Sequence, residues 1–114
     1  MPIELTNPED AKIVALARSV RARTRAAQGA CVRDTDGRTY AGATVALPSL
    51  SVSAVGVAVA MAASSAAAGL EAVAVLGGDA LADQDLAVIR QFAGPGVVVY
   101  LASDDGSVAE TLHT

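Results

Sequence analysis

Residues 29–47, GACVRDTDGRTYAGATVAL, read as a β-hairpin, and that reading organises the rest of the chain. Ala30 to Arg33 form one strand. Asp34, Thr35, Asp36 and Gly37 supply the turn, with Asp36-Gly37 a strong turn dipeptide. Arg38 to Val45 return as the second strand, and Pro48 with its neighbouring serines breaks the pattern.

Upstream, TNPEDAKIVALARSVRART predicts a helix. Asn7 serves as N-cap, Pro8 suits the first helical position, and Glu9 and Asp10 suit the positive end of the helix dipole. Ile13, Leu16, Ala17 and Val20 recur at the spacing of one buried face. Downstream, a helix is predicted from about Ser53 to Ala68, stopped by Gly69. EAVAVLGG reads as a strand buried on both faces. LADQDLAVIRQFAG reads as a helix capped by Asp83 and ended by Gly94 and Pro95. Val97 to Ala102 and Ser107 to Leu112 read as two further strands. This α-β-β-α-β-α-β-β order predicts an α/β fold: a mixed five-stranded sheet with helices on both faces, a three-layer α/β/α sandwich in one domain over residues 1–114.

Composition narrows the function. Hydrophobic residues make up 53% and aromatic residues 3%, so the core is built from Ala, Val, Leu and Ile. Small side chains bury modest area each, which predicts burial against further copies of the chain. A net charge of −4 argues against general nucleic-acid binding. Five of the eight basic residues nonetheless gather at Lys12, Arg18, Arg21, Arg23 and Arg25. They read as a solvated helix face or as a patch for RNA or an acidic partner. The absence of interleaved aromatics weighs against RNA at Arg18, Arg21, Arg23 and Arg25. A single cysteine, Cys31, reads as a small buried hydrophobe and fits a reducing, cytoplasmic setting. The acidic start MPIELTNPED does not read as a signal peptide. From 39 to 70 there is no Asp, Glu, Lys or Arg. That length would span a bilayer. Pro48, the many Ser, Thr, Ala and Gly residues, and the following Glu71 argue instead for a buried helix and no membrane span.

The landmarks Asp36, Gly37, Tyr40 and Gly42 resemble the hairpin that precedes the active-site helix in the cytidine deaminase family. Arg90-Gln91 resembles the end of that family's second motif, Pro-Cys-x-x-Cys-Arg-Gln. The resemblance covers roughly residues 10 to 110. It implies an α/β/α sandwich, a tendency to form dimers or tetramers, and a zinc held by three Cys/His ligands beside a Glu that carries protons.

The departures are specific. Counting from Gly42, the family's Cys-Ala-Glu motif falls on Val55, Gly56 and Val57; anchored on Arg90-Gln91, the paired cysteines of the second motif fall on Leu86 and Ile89. Val55, Leu86 and Ile89 cannot ligate a metal, and Val57 cannot carry a proton. The family's ribose-binding Asn and Glu fall on Thr44 and Ala46, a remnant of a ligand pocket, and its Tyr-x-x-Phe segment falls on RARTRA, which holds no aromatic. Cys31, His113, Asp83 and Asp85 do not assemble into an alternative ligand set, since the two aspartates are expected to cap a helix. The sequence therefore predicts an inactive, zinc-free, cofactor-free relative with a structural, regulatory or scaffolding role through oligomerisation or a protein partner. A nucleoside- or base-binding module and a residual cytidine deaminase are the alternatives.

Overall fold

The computed structural model describes residues 3–78 and 81–114. Helix α1, Pro8–Thr24, starts as the sequence predicts: the Asn7 side chain accepts the Glu9 N–H, and Pro8 opens the helix. The hairpin follows as β1, Gly29–Asp34, and β2, Thr39–Ala43, paired antiparallel with Ala30 opposite Gly42 and Cys31 opposite Ala41. The remaining elements are β3 (Val45–Leu47), β4 (Leu50–Val52), α2 (Ala54–Ser64), β5 (Leu70–Leu76), α3 (Asp83–Ala93), β6 (Val98–Ala102) and β7 (Val108–His113).

The main sheet has five strands in the order β2-β1-β5-β6-β7. β5 and β6 are parallel and the other pairs antiparallel, so the sheet is mixed. α3 connects the parallel pair, as a parallel connection requires a crossover. The period-2 alternation of strand side chains separates two cores. Ala30, Val32, Val73, Val75 and Val99 face α2 and α3, packing with Val55, Val59 and Ile89. Cys31, Ala72, Ala74, Leu76 and Tyr100 face α1, packing with Ile13, Val14 and Ala17. These layers make the predicted α/β/α sandwich. Gly29 lets α1 lie close to the sheet: a Cβ there would stand 2.2 Å from the Ala17 carbonyl oxygen.

Four local predictions need correction. On α1, Val14 is fully in the core and Leu16 is half-buried against it. The second hairpin strand leaves the main sheet at Ala43, because the Thr44 hydroxyl accepts the Gln28 N–H at 3.0 Å. Val45 instead pairs with Val52 in a separate two-stranded hairpin. Helix α2 stops at Ser64, four residues short of Ala68, where Ala66 takes φ 62° and the Ala67 N–H closes back on the Ala62 carbonyl. Finally, Ala82 and not Asp83 occupies the N-cap of α3; Asp83 is its first helical residue. No helix among the described residues is long and apolar enough to cross a membrane.

Candidate functional site

Helices α2 and α3 lie on the same face of the sheet, and their first turns meet. Ser53 is the N-cap of α2: its Oγ accepts the Gly56 N–H at 3.0 Å. The same hydroxyl donates to Asp85 Oδ1, in the first turn of α3, at 2.6 Å. Asp85 is 5% exposed. The four positions at which the sequence counts place the family's catalytic groups lie in these first turns or one turn on. Val55 and Ile89 are fully buried in one apolar cluster, while Val57 and Leu86 are half-buried. Val57 packs over Gly42, the hairpin glycine, where a Cβ would approach Val57 Cγ1 to 2.7 Å. The junction thus offers one hydroxyl and one carboxylate, already bonded to each other, on an aliphatic floor.

The other candidates are elsewhere. Thr44 is committed to Gln28, accepting its N–H and donating to its carbonyl at 3.3 Å. Ala46 is exposed on β3. Neither lines the cavity of about 240 Å³ at the C-terminal ends of β5 and β6, whose wall includes Gln28, Gly77, Ser103 and Glu110. The hairpin landmarks serve the turn itself. Asp34 accepts the N–H groups of Asp36 and Arg38 and the Tyr40 hydroxyl, each at 2.9 Å. Burial of Asp34 opposes its charge, but these three hydrogen bonds outweigh that and hold its carboxyl below the usual range. Of the basic cluster, Arg21 bonds the Ala27 carbonyl and pairs with Asp104 at 3.1 Å, and Arg18 faces the β6–β7 turn. Arg23 and Arg25 are exposed.

Residues 6–106 match the family described as cytidine deaminase-like. The chain belongs to the cytidine deaminase-like family. Among solved structures it is similar to the cytidine deaminase of Burkholderia pseudomallei, with 21% identity, 89% of each chain covered and a TM-score of 0.78. It is also similar to that of Mycobacterium leprae, with 17% identity, 88% of this chain and 90% of that one covered and a TM-score of 0.69. For the cytidine deaminase of Mycobacterium tuberculosis the values are 21%, 77% and 80%, and 0.68. At these identities the likeness is one of fold. No curated protein matches the chain at the sequence level.

The zinc that the resemblance implies does not fit these residues. Three Cys/His ligands are needed, and the chain has one Cys and one His. Cys31 is on β1 and His113 on β7, with β5 and β6 between them, about 14 Å apart at the usual strand spacing. Cys31 also faces α1, on the far side of the sheet from Val55. Burial pushes its thiol up to about 11, which keeps it protonated at neutral pH. No three His, Cys, Asp or Glu side chains cluster as a metal site among the described residues.

The sequence alone does not disclose the Ser53–Asp85 pair, since Asp85 reads there as a helix cap. The available signal was a cap-type residue directly before Ala54. Its partner is 32 positions away, a separation that no local pattern encodes.

Proposed function

We propose that this chain is a catalytically inactive, zinc-free member of its family, one domain over residues 1–114, whose role is structural or regulatory. Val55, Val57, Leu86 and Ile89 are the vestiges of the metal and proton-carrying positions. The observation that carries the reading is their aliphatic character, together with the engagement of the buried carboxylate beside them, Asp85, by Ser53. A deaminase needs a group that moves a proton to the base and an activated water. A carboxylate bonded to Ser53 at the head of a buried aliphatic cluster offers no route for either. The single buried thiol suits a reducing cytoplasmic compartment.

The role is exerted through assembly with further copies of the chain as a dimer or tetramer, or with a protein partner. Support comes from the surface. Leu47 and Leu50 on the small hairpin are 60% and 53% exposed, and Met61 on α2 is 40% exposed. All three lie in the segment without charge, in a chain whose net charge is −4. That segment can meet its own copy without bringing like charges together.

The test is direct. The purified protein is assayed for zinc by elemental analysis and for uridine formed from cytidine. Zinc well below one per chain and no turnover above buffer are expected. One zinc per chain, or measurable deamination, overturns the reading.

A further inference from the structure

Helix α2 has no acidic residue in its first turn, and it lies inside a segment with no charge at all. Helix N-termini carry partial positive charge and favour an anion close by. α3 supplies its own, Asp83 and Asp85. The Ser53 hydroxyl brings the second of these to α2 as well, since it accepts from Gly56 of α2 and donates to Asp85 of α3. This is the one side-chain hydrogen bond between the start of α2 and α3 among the described residues.

We propose that Ser53 and Asp85 form a metal-independent clamp, in which one carboxylate serves two helix starts and holds α2 and α3 in register. Three observations converge on it. The donor–acceptor distance of 2.6 Å falls at the short end of the hydroxyl hydrogen-bond range, where charge-assisted bonds to carboxylates lie. Asp85 is buried to the extent that an unpaired carboxylate there carries a desolvation cost. Below the pair, Val55 of α2 and Ile89 of α3 share one core cluster, so any slip of the helices also disturbs packing. The clamp answers the mismatch between the fold and its implied zinc: the helix starts are joined by side chains of the chain itself. Only its independence of metal rests on the zinc-free reading; the coupling of Ser53 to Asp85 stands on geometry alone.

The experiment is a double-mutant cycle read by urea unfolding of the full chain, with Ser53→Ala, Asp85→Ala and the double variant. Each single variant is expected to lower the folding equilibrium constant about ten- to a hundredfold, the range for hydrogen bonds to charged groups. The double variant is expected to lose no more than about twofold beyond the worse single one, as for residues that act as a pair. Additive losses overturn the clamp. Ser53→Gly separates it from simple capping, because glycine at an N-cap costs only a few tenths of a kcal/mol. A loss as large as that of Ser53→Ala supports the clamp, and wild-type stability overturns it. If the alanine variants do not fold, Ser53→Thr and Asp85→Asn decide. Threonine keeps the hydroxyl and should stay within about threefold of wild type, while asparagine keeps an acceptor without charge and should lose about tenfold. Unchanged stability in Asp85→Asn, or collapse in Ser53→Thr, counts against it. The wild-type titration is repeated with a chelator and with one equivalent of Zn²⁺, and no change is expected. A shift in either direction overturns metal independence and the zinc-free reading, and leaves the coupling to be judged by the cycle.

Discussion

Arg33 Nη1 donates to Asp10 Oδ1 across 2.9 Å, and this buried ion pair fastens β1 to the first turn of α1. The Tyr100 hydroxyl, from β6, bonds the other carboxylate oxygen, so Asp10 gathers two strands under one helix. Glu71 stands 4.0 Å from the Arg33 Nε at the rim. Removing one partner of such a pair leaves a buried charge uncompensated, which costs about 3–5 kcal/mol. Asp10→Ala and Arg33→Ala should each lose stability in that range by urea denaturation. Asp10→Leu combined with Arg33→Leu should lose clearly less than the sum, because no lone charge remains. A fully additive double variant would show that the two side chains contribute independently.

Stability should fall at alkaline pH because burial raises the pKa of two side chains. Burial, then the hydrogen bond to Asp10, raises the Tyr100 phenol from 10.0 to about 12, and burial raises the Cys31 thiol from 9.0 to about 11. In both cases the unfolded chain loses the proton first. Each group's contribution is therefore complete below its unfolded value and is lost as pH rises through the folded one. The urea midpoint should be flat near neutral pH, decline from about 9, and continue down to about 12. Cys31→Ala should flatten the lower part of that decline and Tyr100→Phe the upper part. Asp34 acts at the other end. Its carboxyl is held below 3.8, so its contribution is present above that value and disappears as pH falls through the lowered one.

What the sequence reveals and what it hides follow from the range of the interactions. The start of α1 is written in Asn7 and Pro8, and the β1–β2 turn in Asp34 to Gly37, all within a few residues of the structure they specify. The layered order follows from switching between helical and strand periods. The hairpin of β3 and β4 stays hidden because its strands are three residues each and its leucines point to solvent, so no buried period marks it. The end of α2 is hidden because an alanine, Ala66, takes the left-handed position where glycine is usual, and Gly69 offers a false stop. At the site, the aliphatic residues at 55, 57, 86 and 89 are legible as residue types, but the Ser53–Asp85 contact depends on how two helices meet over the sheet.

Gly42 is a landmark of the family hairpin, and here its role is close approach of α2. An added Cβ would stand 2.7 Å from Val57 Cγ1 and 2.9 Å from the Ala58 nitrogen. Gly42→Ala should cost about 1–3 kcal/mol, as overpacking does. Val57→Ala in that background should recover part of the loss but not all, because the Ala58 backbone remains in the way. Gly29→Ala should cost more, since it meets the Ala17 backbone carbonyl, which trimming a side chain does not relieve. Thermal and urea unfolding of the set decide, and equal losses at 29 and 42 would contradict this ordering.

Ala66, at φ 62°, should be a site of stabilisation. A left-handed alanine costs roughly 1–2 kcal/mol; glycine, with no Cβ, removes that strain, and its freer unfolded chain offsets part of the gain. Ala66→Gly should gain about 0.5–1 kcal/mol in urea unfolding. No gain would mean that the turn after α2 relaxes in solution.

A two-stranded hairpin alone is marginal in water, yet β3 and β4 hold Leu47 and Leu50 outward at 60% and 53% exposure. Met61 and the exposed Ala60 and Ala63 of α2 extend the uncharged character into the helix that follows. If copies of the chain meet there, a carboxylate on each hairpin places like charges in the contact without touching the core. Leu47→Glu with Leu50→Glu should shift the protein to monomer in sedimentation velocity, with unchanged far-ultraviolet circular dichroism. Arg23→Glu with Arg25→Glu, on the exposed end of α1, should leave the assembly intact. Dissociation by the α1 variant and not by the hairpin variant would move the interface to the opposite layer. A wild-type chain that sediments as a monomer at high concentration would remove self-assembly and leave a different protein as the partner for this face.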